Sequence, residues 1–392
     1  METLLYDVGR ICGILGFFFL SFLIFSGDTA RYWNKLIGLD KIIKFQKKFS
    51  YFTAVFVILH PVFFALSYKS PKGFFVPDLA YIPLALGILA FYVFIAIMIA
   101  SALYKRISYK IWQYIHVLTY VLFFFALYHA KEWGSTKNLL IPYAITLLLI
   151  ICGIIYRTQY KIRSSRVNKF IVDSIQHETH DTFTLVLSSE NKLKFKAGQF
   201  CFLRINKNKL YARHPFTISS APHENKISFT IKIAGRFTKT ARDLQIGESV
   251  FVDGPFGNFI PNEDKDMVFI AGGVGITPFI SVLKDRIHKN LTQKITLFYG
   301  SKTEDDIIFR KDLENMNYDW LQKVYLINNI VNLKMECEQG YIREDLIKKY
   351  VKNTTDSMYY ICGPEGMKET AKKVLKEMGI PKSNIFVEDF FW

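Results

Sequence analysis

The chain has little cysteine: five residues in 392, none of them in a CxxC pair. The spacing of Cys12, Cys152, Cys201, Cys337 and Cys362 argues against a disulfide framework and against a structural zinc site. The first apolar run lacks a small-residue cleavage site behind it, so we expect a retained membrane span rather than a signal peptide. The glycine-rich stretch does not follow the GxGxxG spacing, which weakens a generic Rossmann interpretation.

Acidic residues are also scarce, because 34 Asp and Glu stand against 50 Lys and Arg and give a formal net charge of +16. Such a surplus can indicate nucleic-acid binding. Near the apolar runs, however, Lys and Arg follow a membrane topology pattern, so we expect no nucleic acid partner. Hydrophobic residues make up 51% of the chain and are unevenly spread. The composition therefore predicts a membrane part joined to a soluble part.

Five apolar runs occupy 8–25, 49–66, 79–103, 111–130 and 139–156. Most are close to the roughly 20 residues with which a helix spans a bilayer. Basic residues cluster after the first, third and fifth runs, at 31–48, 105–110 and 157–166. The positive-inside rule then places the N-terminus outside and the soluble part in the cytoplasm. We predict a multi-pass protein of the cell membrane, in contact with lipid.

Three histidines stand in these runs: His60, His116 and His129. Ligand-capable residues at membrane depth are candidates for function, although an interfacial or helix-pairing histidine gives the same pattern. His116 and His129 lie about 20 Å apart along one predicted helix and not on one ideal face. Their spacing alone therefore does not show that both histidines are ligands facing the same partner helix. Imidazoles on facing helices are a usual way to hold haem iron.

The sequence around these histidines resembles the ferric-reductase-like transmembrane domain that NADPH oxidases and bacterial ferric reductases share. The similar stretches are 45–49, 59–61, 112–116 and His129. That family places two histidines on each of two helices, 13 or 14 residues apart, and binds two b-type haems. The resemblance implies a b-type haem on His60 and His129 at the outer side. At the inner site His116 would face Gln46 in place of a histidine, which leaves the second haem without one ligand.

After about residue 164 the sequence becomes alternating and turn-rich, with strands predicted at 183–187, 199–205 and 226–233. Short strands at this pitch suggest an antiparallel barrel. From residue 266 strands alternate with helices, which predicts a parallel α/β sheet. We therefore predict a multidomain chain: an α-helical transmembrane haem domain (1–163), an antiparallel β-barrel FAD-binding domain (164–264) and an α/β parallel-sheet NAD(P)-binding domain (265–392). The two soluble domains resemble the ferredoxin–NADP reductase architecture in their order.

The stretch 213–220, Arg-His-Pro-Phe-Thr-Ile-Ser-Ser, resembles the flavin motif of NADPH oxidases. The resemblance implies that Phe216 lies against the isoalloxazine and that Thr217 hydrogen-bonds near its N5. His214, next to Pro215, would meet the ribityl or phosphate part of FAD. A barrel strand with a buried aromatic residue explains Phe216 alone but not the whole motif.

A second stretch, Gly235-Arg236-Phe237-Thr238, resembles the turn that receives the flavin pyrophosphate. Its amides and the Thr238 hydroxyl can donate hydrogen bonds, and Lys232 or Arg236 can neutralise charge. An isolated pattern of this length is common. Its position after the flavin motif makes it informative.

A buried strand at 269–271 runs into a glycine turn and a helix start, with the candidate residues Gly272, Gly273, Gly275, Thr277 and Pro278. Glycine allows backbone amides to approach a phosphate closely, and a helix start behind them favours anions. Thr277 is predicted to cap the helix and Pro278 to fit its first turn. A tight turn without a ligand has the same local pattern, and we interpret the stretch as the nicotinamide nucleotide loop.

Ser301 and Lys302 follow the next strand, where open α/β sheets bind ligands. A hydroxyl and a cation there suit a 2′-phosphate, which favours NADPH and leaves NADH possible. Cys362, Gly363 and Pro364 resemble the family's Cys-Gly-Pro element, whose cysteine faces the nicotinamide. Near the C-terminus Phe390 matches the aromatic residue that shields the flavin in this superfamily. A buried cysteine and an aromatic tail docked in a core are the plainer interpretations.

Together these motifs predict a transmembrane oxidoreductase that passes electrons from NAD(P)H through FAD and haem to an acceptor outside. Oxygen, giving superoxide, is the leading acceptor, with ferric iron or a membrane partner as alternatives. A non-catalytic haem or redox sensor is the alternative from another class. No acid–base dyad or nucleophile is required, because the cofactors carry the chemistry. The oligomeric state is not predicted.

Overall fold

The computed structural model describes residues 2–103, 106–107, 109–132, 139–167, 169–205, 213–329 and 335–388. The chain divides into two compact units, residues 1–163 and 164–392. Each unit is described by itself.

The first unit is α-helical. Its helices are α1 (Glu2–Asp28), α2 (Ala30–Ile37), α3 (Leu39–Ser67), α4 (Pro71–Phe75), α5 (Ile82–Ala102), α6 (Tyr109–Val117), α7 (Thr119–Glu132) and α8 (Leu140–Val167). Five stretches are long and apolar enough to cross a membrane: Glu2–Asp28, Lys41–Ser67, Leu79–Ala102, Ile111–Glu132 and Leu140–Tyr160. The prediction of five spans is confirmed within the described residues.

The fourth span is not one continuous helix. It breaks at Leu118 between α6 and α7, and the Thr119 hydroxyl donates to the carbonyl oxygen of His116 at 2.7 Å. A threonine hydroxyl that bonds back to the preceding turn competes with the helical hydrogen bonds. His116 and His129 therefore lie on one span-length helical stretch, as expected, but on either side of this one-residue break, on α6 and α7.

The second unit begins with an antiparallel sheet. Its elements are β1 (Lys169–Thr179), β2 (Thr182–Ser188), β3 (Phe200–Arg204), β4 (His214–Thr217), β5 (Ile227–Lys232), α9 (Arg236–Arg242) and β6 (Ser249–Phe256). The strand order is β4-β3-β6-β1-β2-β5. A bridge between Ile218 and Phe229 brings the two edges together at one point, as in a barrel.

A parallel sheet follows. Its elements are β7 (Met267–Gly272), α10 (Thr277–Lys289), β8 (Ile295–Ser301), α11 (Arg310–Asn315), β9 (Leu321–Ile327), β10 (Glu338–Gln339), α12 (Glu344–Tyr350), β11 (Met358–Cys362), α13 (Glu365–Glu377) and β12 (Ile385–Val387). The order β10-β9-β8-β7-β11-β12 reverses direction beside β7. Two buried cores cover the two faces of this sheet, as a parallel sheet requires.

The start of α10 differs from the expectation. A 3-10 turn over Gly273–Ile276 precedes the helix, so Thr277 is its first residue and not its cap. The Thr277 hydroxyl donates backward to the carbonyl oxygen of Val274 at 3.0 Å. Capping by Thr277 was a wrong prediction, whereas Pro278 does fit the first turn.

Candidate functional site

Two of the three membrane histidines face each other. The rings of His60 on α3 and His129 on α7 have centroids 6.1 Å apart, with their planes at 75°. Metal–nitrogen bonds to imidazole are about 2 Å long. Two rings that bind one metal from opposite sides therefore have centroids roughly 6 Å apart, so this pair has the spacing of axial ligands.

Hydrogen bonds fix which ring nitrogen of each histidine is available. His60 Nδ1 lies 2.9 Å from the carbonyl oxygen of Gly9, and His129 Nδ1 lies 2.9 Å from that of Pro83. A carbonyl only accepts, so each Nδ1 carries the proton and donates. Each Nε2 is then unprotonated and carries a free lone pair, which is the form in which histidine binds a metal.

Glycines make room for both rings. A Cβ added at Gly13 on α1 would lie 2.5 Å from His60 Nδ1, and one at Gly87 on α5 would lie 2.5 Å from His129 Nδ1. Both histidines line a mostly apolar cavity of about 330 Å³. Sequence reasoning missed these glycines, although small residues in apolar helices are the available signal for close helix packing.

The other end of α3 repeats this arrangement with glutamine. Gln46 stands 14 residues before His60, and it faces Gly27, 14 residues after Gly13, across the antiparallel pair α1–α3. Gln46 Nε2 donates to Ser26 Oγ at 3.1 Å. Gln46, at the position where the resemblance places a second α3 histidine, is therefore held against α1 by this hydrogen bond.

His116, the third candidate, lies on α6 and stacks on Trp112 with centroids 4.8 Å apart and planes at 17°. Its ring is more exposed than those of His60 and His129. Within the described residues no group of three or more His, Cys, Asp or Glu side chains could hold a metal ion. A haem needs only axial protein ligands, and the structure brings together the pair His60 and His129.

Sequence reasoning also missed a buried carboxylate near the end of α1 that forms an ion pair. Asp28 Oδ1 accepts from Tyr120 OH on α7 at 2.6 Å and from Arg157 on α8 at 3.0 Å. The Asp28 side chain is 2% exposed. The signal in the sequence for this contact was Asp28 itself, a carboxylate at the end of an apolar run. The Arg157 side chain is about half exposed, so the buried group is the Asp28 carboxylate. Since a buried carboxylate without partners is costly, these two contacts tie α1, α7 and α8 together.

The predicted flavin strand presents a free hydroxyl. Thr217 is buried, and its Oγ1 has no hydrogen-bond partner among the described residues. Phe216 and His214 on the same strand pack on Phe237, with ring centroids 5.8 Å and 4.1 Å away. Burial lowers the pKa of His214, which favours its neutral form. An unpaired buried hydroxyl is costly unless a bound group satisfies it.

The predicted pyrophosphate turn is organised by Thr238. Its Oγ1 accepts from the amides of Ala234 and Gly235 and donates to the carbonyl oxygen of Gly235. The hydroxyl is thus used inside the turn, while the space over Gly235 is open. Lys232, expected to neutralise phosphate, forms an ion pair with Asp181 at 2.9 Å. Pro215 lies in β4 beside Phe202 of β3.

The loop after β7 needs glycine for two different reasons, a positive φ at one position and close packing at others. Gly273 has φ +51°, and no atom lies within 4 Å of the position of an added Cβ. Gly275 is packed so closely that an added Cβ would lie 2.3 Å from the carbonyl oxygen of Cys362. Gly272 has the same role against Met367. The loop therefore leaves open space at Gly273, whereas Gly272 and Gly275 are packed against Met367 and Cys362.

Three candidate segments meet at one edge of the parallel sheet. Ala271 pairs with Cys362 of β11 and Gly272 pairs with Gly300 of β8, so the ends of these strands are adjacent. Ser301 is buried with Oγ unpartnered among the described residues, and Lys302 is exposed. Gly363 and Pro364 contact Gly272. This edge is the point of strand reversal, where open α/β sheets bind ligands.

The predicted shielding residue Phe390 lies outside the described residues. The described chain ends at Glu388, whose amide donates to the carbonyl oxygen of Ile361 at 2.9 Å. The C-terminal segment up to Glu388 is therefore bound alongside β11, the strand that ends in Cys362.

Comparison with known proteins divides the chain in the same way. Residues 12–127 match the ferric reductase like transmembrane component, 166–259 an FAD-binding domain, and 269–373 an oxidoreductase NAD-binding domain. None of these three matches covers half of the chain. Their order along the chain is that of the membrane unit, the antiparallel sheet and the parallel sheet.

Individual relatives are similar over part of their length. The chain is 32% identical over 230 residues to cytochrome b5 reductase 4 of Bos taurus, covering 53% of this chain and 44% of that protein. It is 31% identical over 181 residues to one component of the Na(+)-translocating NADH-quinone reductase of Idiomarina loihiensis, covering 44% of this chain and 43% of that one. The chain thus spans less than half the length of these relatives.

Among solved structures, the flavohem-like FAD/NAD binding domain of a nitric oxide dioxygenase from Vibrio cholerae O1 biovar El Tor superimposes with a TM-score of 0.52. Identity is 20%, over 57% of this chain and 98% of that one, so the likeness shows the fold. The chain has the domain architecture of the NADPH oxidases and ferric reductases: a ferric reductase like transmembrane component followed by FAD-binding and NAD-binding domains.

Proposed function

We propose that this chain passes electrons from NAD(P)H through FAD and a b-type haem to an acceptor on the outer side of the membrane. Oxygen is the proposed acceptor, and superoxide the product. The observation that carries the proposal is the facing pair His60 and His129, whose rings stand 6.1 Å apart within the same chain as the FAD and NAD-binding domains.

The residues present fit a haem at this pair. Both Nε2 atoms are unprotonated because both Nδ1 atoms donate to backbone carbonyls, of Gly9 and Pro83. The cavity beside the rings is mostly apolar, as a porphyrin requires. We assign one haem to this pair. Gln46, whose amide is bonded to Ser26, supplies no second imidazole, so we assign no bis-histidine haem there.

The reductase residues fit their cofactors as well. The unpartnered hydroxyls of Thr217 and Ser301 and the open loop at Gly273 are places for the flavin, the nucleotide ribose and its phosphates. We assign 164–264 to FAD and 265–392 to NAD(P)H. When bound, the flavin takes two electrons as a hydride and passes them on singly, as a haem requires. The protein positions the donor and excludes water.

Orientation follows from the sequence. Basic residues cluster after the first, third and fifth spans, so the FAD and NAD(P)-binding domains are placed in the cytoplasm. His60 lies near the end of α3 that faces outward in this orientation, and His129 near the matching end of α7. The proposed haem therefore stands on the side where the acceptor arrives.

The experiment uses the full chain in detergent or nanodiscs. We expect about one haem per FAD, a reduced-minus-oxidised spectrum of a low-spin b haem, and NADPH-dependent reduction of cytochrome c that superoxide dismutase abolishes. His60→Ala should remove the haem and the superoxide while NADPH still bleaches the flavin. Rapid reduction of ferric chelates without superoxide would show that ferric iron, and not oxygen, is the electron acceptor. Full cofactor loading without NADPH oxidation would refute the enzyme and favour a sensor.

A further inference from the structure

Buried hydroxyl groups form a continuous row across the reductase unit. The row consists of Ser219, Thr230 and Thr184, and it ends on the carboxylate of Glu178. Thr230 Oγ1 lies 3.1 Å from Ser219 Oγ and 2.8 Å from Thr184 Oγ1, which lies 2.6 Å from Glu178 Oε1. The three hydroxyl residues are 2–4% exposed, whereas Glu178 is only half-buried. The row thus connects an enclosed end to a partly open one.

The hydroxyl row lies against the nucleotide-binding side of the unit. Glu178 Oε2 accepts from the amide of Phe309, just before α11, at 3.2 Å. At the other end, Ser281 on α10 donates to the carbonyl oxygen of Ser220 at 2.6 Å. Alternate residues of β2, among them Leu185, fill the core of the antiparallel sheet, so Thr184 faces away from it. The row is therefore covered by the parallel-sheet part of the chain.

The enclosed end adjoins the flavin strand. Phe216 and Ile218 pack on the core of the antiparallel sheet, so Thr217 and Ser219 point to the opposite side of the extended chain. Thr217 and Ser219 are two positions apart in this extended stretch, so their side chains lie on the same face with Cα atoms about 7 Å apart. Thr217 carries the hydroxyl that has no partner among the described residues. The hydroxyl row therefore begins beside the group that we assign to the flavin.

The hydrogen bonds of the row can all point in either of two directions, because each hydroxyl has one proton to donate. Each hydroxyl has one proton, and an ionised carboxylate only accepts. With Glu178 ionised, Ser219 donates to Thr230, Thr230 to Thr184, and Thr184 to Glu178. With Glu178 protonated, every bond reverses: Glu178 donates to Thr184, Thr184 to Thr230, and Thr230 to Ser219. Both states satisfy every contact, and they differ by one proton at Glu178.

The proposed reaction produces one proton in this unit. Oxidation follows NAD(P)H → NAD(P)⁺ + H⁺ + 2 e⁻, in which the C–H bond of the nicotinamide breaks. The two electrons go to the acceptor, and the proton that came with the hydride has to leave. We propose that the hydroxyl row carries this proton from the flavin strand to Glu178, which releases it to solvent. This inference rests on the proposed function and assigns a residue that no motif identified.

The test follows electrons and protons separately. Full-length protein with FAD is reduced anaerobically by one equivalent of NADPH, then mixed with ferricyanide in weakly buffered solution that contains a pH-indicator dye. Ferricyanide absorbance reports the electrons and the dye reports the proton. The variants are Glu178→Gln, Thr230→Val and Thr230→Ser. The matched control is Thr182→Val, because Thr182 is equally buried on β2 and its hydroxyl bonds to Asp181 outside the row.

We expect NADPH to bleach the flavin at near wild-type rate in every variant. Proton release should slow by on the order of tenfold or more in Glu178→Gln and Thr230→Val. Thr230→Ser and Thr182→Val should release protons as the wild type does. Infrared difference spectra between oxidised and reduced protein should show a protonated-carboxyl band that Glu178→Gln removes.

The outcomes separate the two proposals. Wild-type proton release in both Glu178→Gln and Thr230→Val, with an unchanged carboxyl band, overturns the row as a proton path. A chain that binds FAD and NADPH but never bleaches the flavin overturns the proposed function instead. If Thr230→Val loses FAD and so fails to fold, Glu178→Gln alone decides, because glutamine keeps the size and the hydrogen-bonding capacity of the side chain while losing its titratable proton.

Discussion

Replacing Gly13 or Gly87 by alanine tests whether the histidine pair is held at a spacing that binds haem. An added Cβ would stand 2.5 Å from His60 Nδ1 at Gly13, and 2.5 Å from His129 Nδ1 at Gly87. Ordinary contact begins near 3.4 Å, so each ring would have to withdraw by about 0.9 Å. Metal–ligand distances tolerate a displacement of only about 0.2 Å. The displaced Nε2 should therefore no longer bind iron well.

The magnitude follows from two effects. Disturbing the groups that orient a metal-binding histidine typically costs about 10- to 100-fold in metal affinity. Overpacking adds about 1–3 kcal/mol of destabilisation. We expect Gly13→Ala and Gly87→Ala each to lower haem retention by about 10- to 100-fold, measured as haem per FAD in purified protein and by loss of haem to apomyoglobin.

The matched control is Gly27→Ala on the same helix as Gly13. A Cβ there would lie 3.9 Å from Gln46 Nε2, an ordinary contact, so haem content should be unchanged. FAD content and size-exclusion profiles show whether each variant is folded. Full haem occupancy and unchanged retention in both Gly13→Ala and Gly87→Ala would refute the geometric reasoning.

Four further predictions concern single side chains. His116→Ala should retain the haem, and Gln46→His should raise haem content above the wild type, as haem analysis would show; a loss of all haem in His116→Ala contradicts the assignment to the other pair. Lys302→Ala should raise the KM for NADPH far more than that for NADH, because the exposed cation stands where a 2′-phosphate would bind; a wild-type preference for NADH would contradict this. Because burial lowers the pKa of His214 in the folded state, the free energy of unfolding should decrease as pH falls below the ordinary histidine pKa of about 6.5, and FAD should be released as the protein unfolds. His214→Gln should flatten that dependence in a fluorescence titration of released FAD, and an unchanged pH profile would contradict the role of this residue.

Local sequence was sufficient for the parts of this protein that depend on local properties. Hydropathy over about 20 residues identifies a span wherever it packs, and the five predicted spans are present. Short runs rich in β-branched and aromatic residues between turn signals predicted the strands that became β2, β3 and β5. The order of the flavin, glycine-loop and Cys-Gly-Pro motifs likewise indicated the reductase architecture.

Where the sequence failed locally, neighbouring backbone decided the outcome. Thr277 could cap a helix by its residue type, but the 3-10 turn before it made it the first helical residue. The apolar run 111–130 reads as one helix, yet the Thr119 hydroxyl bonds back to His116 and α6 ends at Val117. Hydropathy does not register either effect, because each depends on backbone geometry and hydrogen bonds within about one turn.

The sequence by itself determined which residues could act: the membrane histidines, the flavin and nucleotide motifs, and the missing histidine at Gln46. Only the tertiary structure decided which of them meet. His60 and His129 are 69 positions apart in the chain. Their rings face each other because Gly13 on α1 and Gly87 on α5 leave room for them. The hydroxyl row joins β2, β5 and the flavin strand in the same way. Distances between elements are set by packing and strand register, which no local pattern in the chain encodes.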